Sequence, residues 1–376
     1  MPKTDQDFMA LAVQAASNGQ GAVEPNPMVG CVIVADDQVI GIGWHEKFGE
    51  AHAEINAINS VKPELKDKIV GATAYVSLEP CSHHGKTGPC CDALIEAKFA
   101  RVVVAVLDPN PKVAGQGIER LQAAGIEVVT GVLANEATQV LDPYFKRTQT
   151  GVPWVIAKWA MTIDGSIATS SGDSQWISNE KSRQRVHALR RRVDVVLVGI
   201  GTALADDPML NPRPAGNRTV TRVVVDSSVR IPMDSKLVTT ANEFPTLIAV
   251  DGEQTKTKTE KISALRASGC EVWESELGQN ADERLLALLK YLASNGATNV
   301  MVEGGSQILG SLNDQQQIDE IHVFTGAKLL GDQNALSPVG GVGHRLMKTA
   351  TELELRQVER IKDDVYSIYC RTGKTT

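Results

Sequence analysis

The chain has 376 residues, of which 42% are hydrophobic and 22% are charged, so its length and composition suit a globular protein of two or three domains. The formal net charge of -7 argues against a general nucleic-acid-binding protein, because such proteins need an excess of cations to contact phosphates. Asp5 and Asp7 stand where a secretory signal would carry lysines and an apolar run, and no segment approaches about 18 consecutive apolar residues. We therefore expect a cytoplasmic protein that does not contact a membrane.

The six cysteines are too few and too scattered for a disulfide framework. Three of them, Cys81, Cys90 and Cys91, lie close together in the chain. In a reducing compartment such a cluster indicates a metal site with one spare thiol.

The first part of the chain predicts alternating helices and strands. Residues 4–17 have apolar side chains at helical spacing, and Thr4 with Asp7 resembles a capping pair. The elements predicted next are a hairpin of strands 29–34 and 39–44, a helix at 52–59, a strand at 72–78, a helix at 90–99, a strand at 101–107, a helix at 115–124 and a strand at 126–129. This alternation predicts a sheet covered by helices, with active groups at strand ends and helix starts.

His52, Glu54, Cys81 and Cys90 form the motif with the clearest chemistry. One imidazole and two thiolates are good zinc ligands, and three protein ligands leave a fourth position open for water, as in catalytic zinc sites. His-x-Glu followed by Pro-Cys and a second Cys is the signature of the zinc deaminases, although eight residues separate the two cysteines here where generic members have two. We predict one zinc ion bound by His52, Cys81 and Cys90, with Glu54 moving protons during hydrolytic deamination of an amino-substituted heterocycle.

A structural zinc ion is the alternative for the same residues. His83 or His84 would then be a fourth protein ligand, and Glu54 would have no chemical role. In that case the whole protein could be a non-enzymatic scaffold.

A seam between two domains is expected at 142–151, because the alternating pattern ends there and a new set of strands begins at Trp154. We expect a deaminase domain at 1–147 and a second domain at 148–376. The elements predicted after the seam are strand 154–161, helix 178–192, strands 194–199, 221–225 and 246–250, helix 281–294, strand 299–303, a helix after Gly305, and strands 319–325, 353–360 and 365–371. The last two strands predict an antiparallel hairpin added to a largely parallel sheet.

Two glycine-rich turns in the second half are candidates for phosphate binding. Gly304 and Gly305 follow a strand and precede a helix, so backbone N–H groups and the helix dipole could face an anion, although such a pair is equally typical of a tight turn. Gly199 and Gly201 also follow a strand, but Leu204 occupies the place of the third glycine and the dinucleotide fingerprint fails.

The helix expected at 178–192 carries six cations between Lys181 and Arg192. Most residues of such a run are solvated. One or two of them facing inward could hold a sugar phosphate.

Four segments of the first half match the motifs of a known family: residues 25–32 (PNPMVGCV), 43–45 (GWH), 49–54 (GEAHAE) and 79–90 (EPCSHHGKTGPC). They resemble the deaminase half of the bifunctional deaminase/reductase family of the riboflavin pathway, including its long insert between the cysteines. One position departs, because Gly88 stands where the family has proline. The resemblance implies a cytidine-deaminase-like three-layer α/β/α fold and a substrate pocket lined by Asn26, His45, Lys86 and Thr87.

Further segments of the second half match the same family: residues 160–165 (AMTIDG), 171–177 (SGDSQWI), 201–202 (GT), 206–210 (DDPML), Arg213 and 303–305 (EGG). They resemble its reductase half, which implies a dihydrofolate-reductase-like α/β fold and hydride transfer from NADPH. By this resemblance, the residues that contact NADPH would be Ala160, Trp176, Thr202, Asp206, Ser227 and the loop from Gly305. Those that hold the ribosyl phosphate substrate would be Ser174, Arg190, Leu210, Arg213 and Glu303.

The resemblance covers nearly the whole chain and implies two enzymes acting in sequence. The first would deaminate 2,5-diamino-6-(5-phosphoribosylamino)pyrimidin-4-one, and the second would reduce the ribosyl chain with NADPH to give 5-amino-6-(5-phosphoribitylamino)uracil. Its partners would be phosphorylated pyrimidines, with no nucleic acid and no membrane, in a homo-oligomer. The alternative is deamination of a free or tRNA-borne base with the second half as a binding module, and it requires a basic surface near residue 52.

Overall fold

The computed structural model describes residues 3–83, 88–111, 113–216 and 218–372. The chain folds into two compact units, Met1–Val152 and Pro153–Thr376. Among the described residues, no helix has the length and apolar character needed to cross a membrane.

The first unit alternates helices and strands in the order that the sequence predicts as far as β5, and it ends with one further helix. Two 3-10 turns, Ser17–Gly19 and Pro63–Ile69, lie between them. In chain order the elements are α1 (Asp5–Ala16), β1 (Gly30–Ala35), β2 (Gln38–Trp44), α2 (Ala53–Ser60), β3 (Thr73–Val76), α3 (Cys90–Glu96), β4 (Arg101–Val104), α4 (Gln116–Ala123), β5 (Glu127–Thr130) and α5 (Ala134–Thr150).

Helix α1 begins where expected because Thr4 and Asp7 cap it reciprocally. The Thr4 backbone N–H donates to Asp7 Oδ2 over 2.7 Å, and the Thr4 hydroxyl oxygen accepts from the Asp7 backbone N–H over 3.4 Å. Phe8, Met9 and Ala12 form the buried face of the helix. The capping pair therefore determines the residue at which α1 begins.

The sheet of the first unit has the order β2-β1-β3-β4-β5. Strand β1 is antiparallel to β2 and β3, whereas β3, β4 and β5 are parallel. Alternate residues of β1 face opposite layers, because Val32 belongs to the core with Phe8, and Ile33 to the core with Ala57 and Leu94. This is the three-layer α/β/α fold that we expected.

Helix α5 occupies the stretch where the sequence predicted a seam, and the boundary expected between residues 147 and 148 falls inside this helix. Pro143 lies within α5, and an interior proline normally indicates a helix end, which is why the pattern does not predict this helix. Gly151 terminates it with a φ of 68°. Helix α5 places additional side chains beside the site of the first unit.

The second unit is also a sheet covered by helices. A 3-10 turn, Met347–Thr349, precedes its last two strands. In chain order the elements are β6 (Trp154–Met161), α6 (Glu180–Arg190), β7 (Val195–Gly199), α7 (Ile200–Asp206), β8 (Thr221–Val225), α8 (Lys236–Thr239), β9 (Thr246–Val250), α9 (Gly252–Thr255), α10 (Thr259–Ala267), β10 (Glu271–Glu274), α11 (Ala281–Ser294), β11 (Asn299–Val302), α12 (Ser306–Asp314), β12 (Glu320–Thr325), β13 (Leu353–Ile361) and β14 (Asp364–Arg371).

The sheet of the second unit has nine strands among the described residues, in the order β10-β9-β8-β7-β11-β6-β12-β14-β13. The pairs from β10 to β12 are parallel, and β14 is antiparallel to both β12 and β13. The antiparallel hairpin predicted at the end of a parallel sheet is therefore confirmed. The carboxyl ends of β6, β7, β8 and β11 share one edge, which is where ligands bind in sheets of this kind.

Five elements of the second unit do not appear in the sequence prediction: α7, α8, α9, α10 and β10. Helix α7 begins at Ile200 directly after β7, where the sequence was interpreted as a glycine turn. Strand β10 has only four residues, Glu271–Glu274, which is too short for a periodic pattern.

Candidate active sites

The first site lies at the starts of two helices and at the end of a strand. His52 is the N-cap of α2, Cys90 is the first residue of α3, and Cys81 follows the strand β3. We expected His52 in the first turn of the helix, and it stands one position earlier. Its backbone is extended there, and its carbonyl accepts the N–H of Asn56.

His52, Cys81 and Cys90 converge as predicted. Their ligand atoms all lie within 4.8 Å of one another. His52 Nδ1 is 3.2 Å from Cys90 Sγ and 3.5 Å from Cys81 Sγ. Nitrogen and sulfur ligands of a tetrahedral zinc ion are about 3.6 Å apart, so both nitrogen–sulfur distances suit a shared ion.

The environment of Cys81 favours the thiolate form, which can bind a cation. Hydrogen bonds from Cys90 and His52 lower the pKa of Cys81 to about 4. The Cys90 backbone N–H, at the start of α3, also points to Cys81 Sγ over 3.4 Å. A thiolate at this position therefore has donors to hold it in place.

Glu54 is the buried acid of the site. It lies in the first turn of α2, and only 3% of its surface is exposed. Burial, and then the negative charge of Cys81, raises the pKa of Glu54 above its ordinary value. A carboxyl group with a raised pKa is suited to accept a proton and to return it in a later step.

A cavity of about 440 Å³ opens onto His52, Glu54 and Cys81. Asn26 and His45, which we expected in the substrate pocket, both line it. The Ala51 carbonyl can only accept, so His45 Nδ1 donates to it over 3.0 Å, and His45 Nε2 accepts from the Asn26 amide over 3.1 Å. Burial lowers the pKa of His45, which favours this neutral tautomer.

His83 does not join the cluster of ligands among the described residues, and its side chain is exposed. His84, Lys86 and Thr87, which we singled out as a ligand candidate and as pocket residues, lie outside the described residues.

The sequence analysis did not identify several residues that line this cavity, among them Glu79, Asp108 and Tyr144. The buried carboxylate of Glu79 accepts the backbone N–H groups of Gly115 over 3.0 Å and Gly117 over 2.9 Å. The Tyr144 hydroxyl donates to Asp108 over 3.1 Å. Asp108 follows β4 and Cys81 follows β3, so both residues lie at the same edge of the sheet. Because ligands bind at the carboxyl ends of strands in such sheets, the position of Asp108 could have been recognised from the sequence. Tyr144 could not, because it lies on helix α5, which was not predicted.

The second site is a cavity of about 840 Å³ at the carboxyl edge of the second sheet. Eight of the residues assigned to the reductase by resemblance line it: Ala160, Ser174, Trp176, Thr202, Asp206, Ser227, Glu303 and Gly305.

Three further residues expected to hold substrate do not line this cavity. Leu210 is 2% exposed, Arg213 is exposed to solvent, and Arg190 contacts Glu303, which does line the cavity. Their role toward the substrate remains a prediction.

The glycine pair after β11 forms a cradle. Gly304 has a φ of 154° and Gly305 a φ of 90°, and α12 begins at the next residue. A Cβ atom at Gly304 would lie 2.8 Å from Thr202 Oγ1. Gly304 is therefore required by close approach and by backbone geometry, and Gly305 by backbone geometry. The loop and the helix start can receive a cofactor phosphate.

Gly304→Ala should weaken NADP⁺ binding by about tenfold or more, because the added methyl group fills the cradle and strains the loop. The dissociation constant can be measured by fluorescence titration. Gly296→Ala is the matched control, since Gly296 also has a left-handed φ, of 95°, but has open space around it. Equal affinity in the wild type and in Gly304→Ala would show that the loop does not contact the cofactor.

Glu303 is the centre of a buried charge cluster in the second cavity. Arg190 donates to it twice, over 2.5 Å from Nε and 2.9 Å from Nη2, and Lys158 Nζ lies 3.5 Å away. Burial alone would raise the pKa of Glu303, but the charges of Arg190 and Lys158 outweigh it and lower the pKa to about 2. Lys158 lines the cavity, and the sequence analysis did not identify it. A lysine within the apolar strand β6 could have indicated it, because a charged group is rarely buried without a partner.

The cations of α6 fall into two groups. Arg190 faces inward to Glu303, and Arg183 lies over the ring of Trp176, 4.3 Å from its centroid. Arg185 instead pairs with Glu359 over 2.6 Å in a half-exposed bridge.

Comparisons with known proteins cover both halves of the chain. The family model for the cytidine and deoxycytidylate deaminase zinc-binding region matches residues 2–106, and the model for the RibD C-terminal domain matches residues 153–367. The chain is 40% identical over 366 residues to the riboflavin biosynthesis protein RibD of Actinobacillus pleuropneumoniae, covering 97% of this chain and 95% of that protein. It is 37% identical over 375 residues to RibD of Escherichia coli, covering 96% and 98%.

Solved structures give the same result. Form 1 of Acinetobacter baumannii RibD has a TM-score of 0.83 at 33% identity, covering 98% of this chain and 99% of that chain. The diaminohydroxyphosphoribosylaminopyrimidine deaminase/5-amino-6-(5-phosphoribosylamino)uracil reductase of Thermotoga maritima has a TM-score of 0.84 at 32% identity, covering 98% of each. Because both halves match over almost their full length, the chain belongs to the riboflavin biosynthesis protein RibD family of bifunctional deaminases and reductases.

Proposed function

We propose that the first unit deaminates 2,5-diamino-6-(5-phosphoribosylamino)pyrimidin-4-one and that the second reduces the ribosyl chain of the product with NADPH, giving 5-amino-6-(5-phosphoribitylamino)uracil. The observation that carries the proposal is the convergence of His52, Cys81 and Cys90 beside the buried carboxyl group of Glu54 in one cavity. The names of the RibD relatives support the pathway, and the T. maritima protein's name supports the substrates.

In the first unit, we propose His52, Cys81 and Cys90 as the zinc ligands and Glu54 as the catalytic acid and base. Zinc, when bound, supplies a water molecule of lowered pKa. Glu54 takes a proton from this water and passes protons to a ring nitrogen and to the departing amine. The water oxygen would bond to the ring carbon that carries the amine, the C–N bond would break, and ammonia would leave a carbonyl group behind. Asn26 would hold the substrate, in an orientation that its hydrogen bond to His45 fixes.

In the second unit, we propose that Ala160, Trp176, Thr202, Asp206, Ser227 and Gly305 contact NADPH. NADPH supplies a hydride when bound. The protein holds the opened imine or aldehyde carbon of the sugar near the nicotinamide, and the reduction is completed by a proton. The residues proposed to hold the ribosyl phosphate are Ser174, Arg190, Leu210, Arg213 and Glu303.

Lys158 is a further candidate positioning residue of the reductase. Its ammonium group is buried in the same cavity and paired with Glu303. Burial lowers the pKa of Lys158, so this group can give up a proton more readily than an exposed lysine.

We also propose that the chain acts on small molecules and not on nucleic acid, in the cytoplasm and as a homo-oligomer. The net charge of -7 supports the first point.

The test is incubation of the full chain with the diaminopyrimidine phosphate, with and without NADPH, followed by mass analysis. Without NADPH we expect a product in which one amine is replaced by a carbonyl oxygen, and with NADPH a product that carries two further hydrogens. Equal rates of NADPH consumption with deaminated and undeaminated substrate would contradict the proposed order.

A further inference from the structure

Helix α5 forms part of the wall of the first unit's cavity, and none of the chemical steps proposed above uses it. Ala137 and Leu141 of this helix are buried in the unit. Tyr144 and Thr148 follow them at helical spacing, so the four side chains lie on one face of α5. Tyr144 and Thr148 both line the cavity. The face of α5 that packs on the sheet therefore continues into the cavity with two side chains that carry hydroxyl groups.

The Tyr144 hydroxyl group binds the carboxylate of Asp108, a buried residue in the loop that follows β4. The hydroxyl oxygen lies 3.1 Å from Asp108 Oδ1 and 3.3 Å from Oδ2. Burial, and then the charge of Asp108, raises the pKa of Tyr144 above its ordinary value, so the hydroxyl stays protonated and donates to the carboxylate. The same hydroxyl also contacts the side chains of Asn110 and Thr148. Tyr144 therefore joins α5 to the loop after β4.

Asp108 in turn fixes the backbone of Asn110. Asp108 Oδ1 accepts the Asn110 backbone N–H over 2.8 Å, so the aspartate side chain closes a tight turn. The Asn110 carbonyl accepts the backbone N–H of Val113 over 2.8 Å and that of Ala114 over 2.9 Å. Both polar backbone groups of Asn110 are therefore engaged within the loop, and Asn110 lines the cavity with its amide side chain.

Glu79 holds the two ends of the same loop independently of Tyr144. Its carboxylate accepts the backbone N–H of Asp108 over 3.3 Å at one end, and those of Gly115 over 3.0 Å and Gly117 over 2.9 Å at the other. Removal of the Tyr144 hydroxyl breaks none of these bonds. The loop should therefore stay folded without this hydroxyl, while the turn at Asp108 and Asn110 loses its contact with α5.

We propose that Tyr144 is a positioning residue of the deaminase, which holds Asn110, directly and through Asp108, so that the Asn110 amide binds the pyrimidine ring. This inference rests on the deaminase function proposed above and adds the origin of one substrate contact. An amide offers two donors and one acceptor, which complement the amine and carbonyl groups of such a ring. A side chain whose orientation is already fixed loses less conformational entropy when it binds a ligand. Asn26, held by His45, is the other amide that lines this cavity.

The test is steady-state deamination of the diaminopyrimidine phosphate by the full chain loaded with zinc. Tyr144→Phe removes the hydroxyl group and keeps the ring. It should raise KM by about five- to tenfold, the usual effect of one hydrogen bond, and leave kcat within about twofold. The two constants separate because the contact with Asn110 would be weakened equally in the ground state and in the transition state.

Asn110→Ala shows whether Tyr144 acts through Asn110. In the Asn110→Ala background, Tyr144→Phe should change KM by less than about twofold, because the side chain that it positions is no longer present. A residue with a merely structural role would not show this coupling. Equal effects of Tyr144→Phe on KM in the two backgrounds would overturn the positioning role.

Tyr75→Phe is the matched control, because the Tyr75 hydroxyl also donates to an aspartate, Asp5 over 2.8 Å, in the same unit, and Tyr75 is not among the residues that line the cavity. It should keep the KM and kcat of the wild type. An unchanged KM in Tyr144→Phe, or an equal rise of KM in Tyr75→Phe, would overturn the role of Tyr144 and leave the deaminase function standing. A wild-type chain that releases no ammonia from this substrate would refute the deaminase function itself.

Discussion

Glu54→Gln should lower the deaminase kcat by about 10²- to 10⁴-fold while one zinc ion per chain stays bound. Glutamine has nearly the shape of glutamate, so the packing of α2 is retained, and none of the three proposed zinc ligands is altered. The amide cannot accept and return a proton, and this is the property that burial beside Cys81 promotes in Glu54 by raising its pKa. Measurement of zinc by mass spectrometry and of ammonia release by a coupled assay separates the two effects.

Glu96→Gln is the control for this variant, since Glu96 is an exposed glutamate at the end of α3 in the same unit. It should match the wild type in both assays. Deaminase turnover in Glu54→Gln at the wild-type rate would refute the role of Glu54, and loss of zinc from this variant would show that Glu54 is a ligand.

Glu303→Gln should have the largest effect in the second unit, on both stability and reduction. The substitution leaves Arg190 and Lys158 buried without their counter-charge, a situation that typically costs about 3–5 kcal/mol of unfolding free energy. The cavity wall that we propose to hold substrate would also lose its geometry, and we expect about a hundredfold loss of reductase kcat/KM. Denaturant unfolding and NADPH oxidation measure the two quantities.

The pH dependence of stability gives a second test of Glu303. The folded protein holds the pKa of Glu303 near 2, below its ordinary value of 4.5, so the ionised carboxylate stabilises the fold. This stabilisation, roughly 3 kcal/mol, is fully present above pH 4.5 and is lost as the pH falls through the folded pKa near 2. The free energy of unfolding of Glu303→Gln should therefore fall less steeply with decreasing pH than that of the wild type.

Glu276→Gln, at an exposed glutamate of the same unit, should leave stability, its pH dependence and reduction unchanged. Adding Lys158→Met to Glu303→Gln should recover part of the stability, because it removes one of the two unpaired charges. A Glu303→Gln protein as stable as the wild type would show that the buried cluster does not hold the cavity wall.

The zinc site could be predicted from sequence because its chemistry is local. His52 and Glu54 are two positions apart, and each cysteine is marked by the element boundary beside it: Cys81 follows a strand and Cys90 begins a helix. The spacing of the motif therefore indicates how its side chains are arranged in space. Glu79 was not recognised because its partners are backbone N–H groups about 30 to 40 residues away, which no side-chain pattern reveals.

The reductase site was predictable only through the family resemblance. Helical periodicity places six cations near α6 but does not distinguish Arg190, which pairs with Glu303 at 113 residues' separation, from Arg185, which pairs with Glu359. Tyr144 could not be predicted from the sequence either. It lies on α5, and Pro143 within that helix gives the sequence the appearance of a helix end. Which of these side chains reaches a site depends on contacts with residues far away in the sequence, and only the tertiary fold shows those contacts.

Zinc K-edge X-ray absorption of the purified full chain tests the central claim most directly. We predict one zinc ion per chain with two sulfur ligands, one imidazole nitrogen, and one oxygen from solvent. A second imidazole in the coordination shell would indicate a closed structural site and would contradict the catalytic role assigned to His52, Cys81, Cys90 and Glu54.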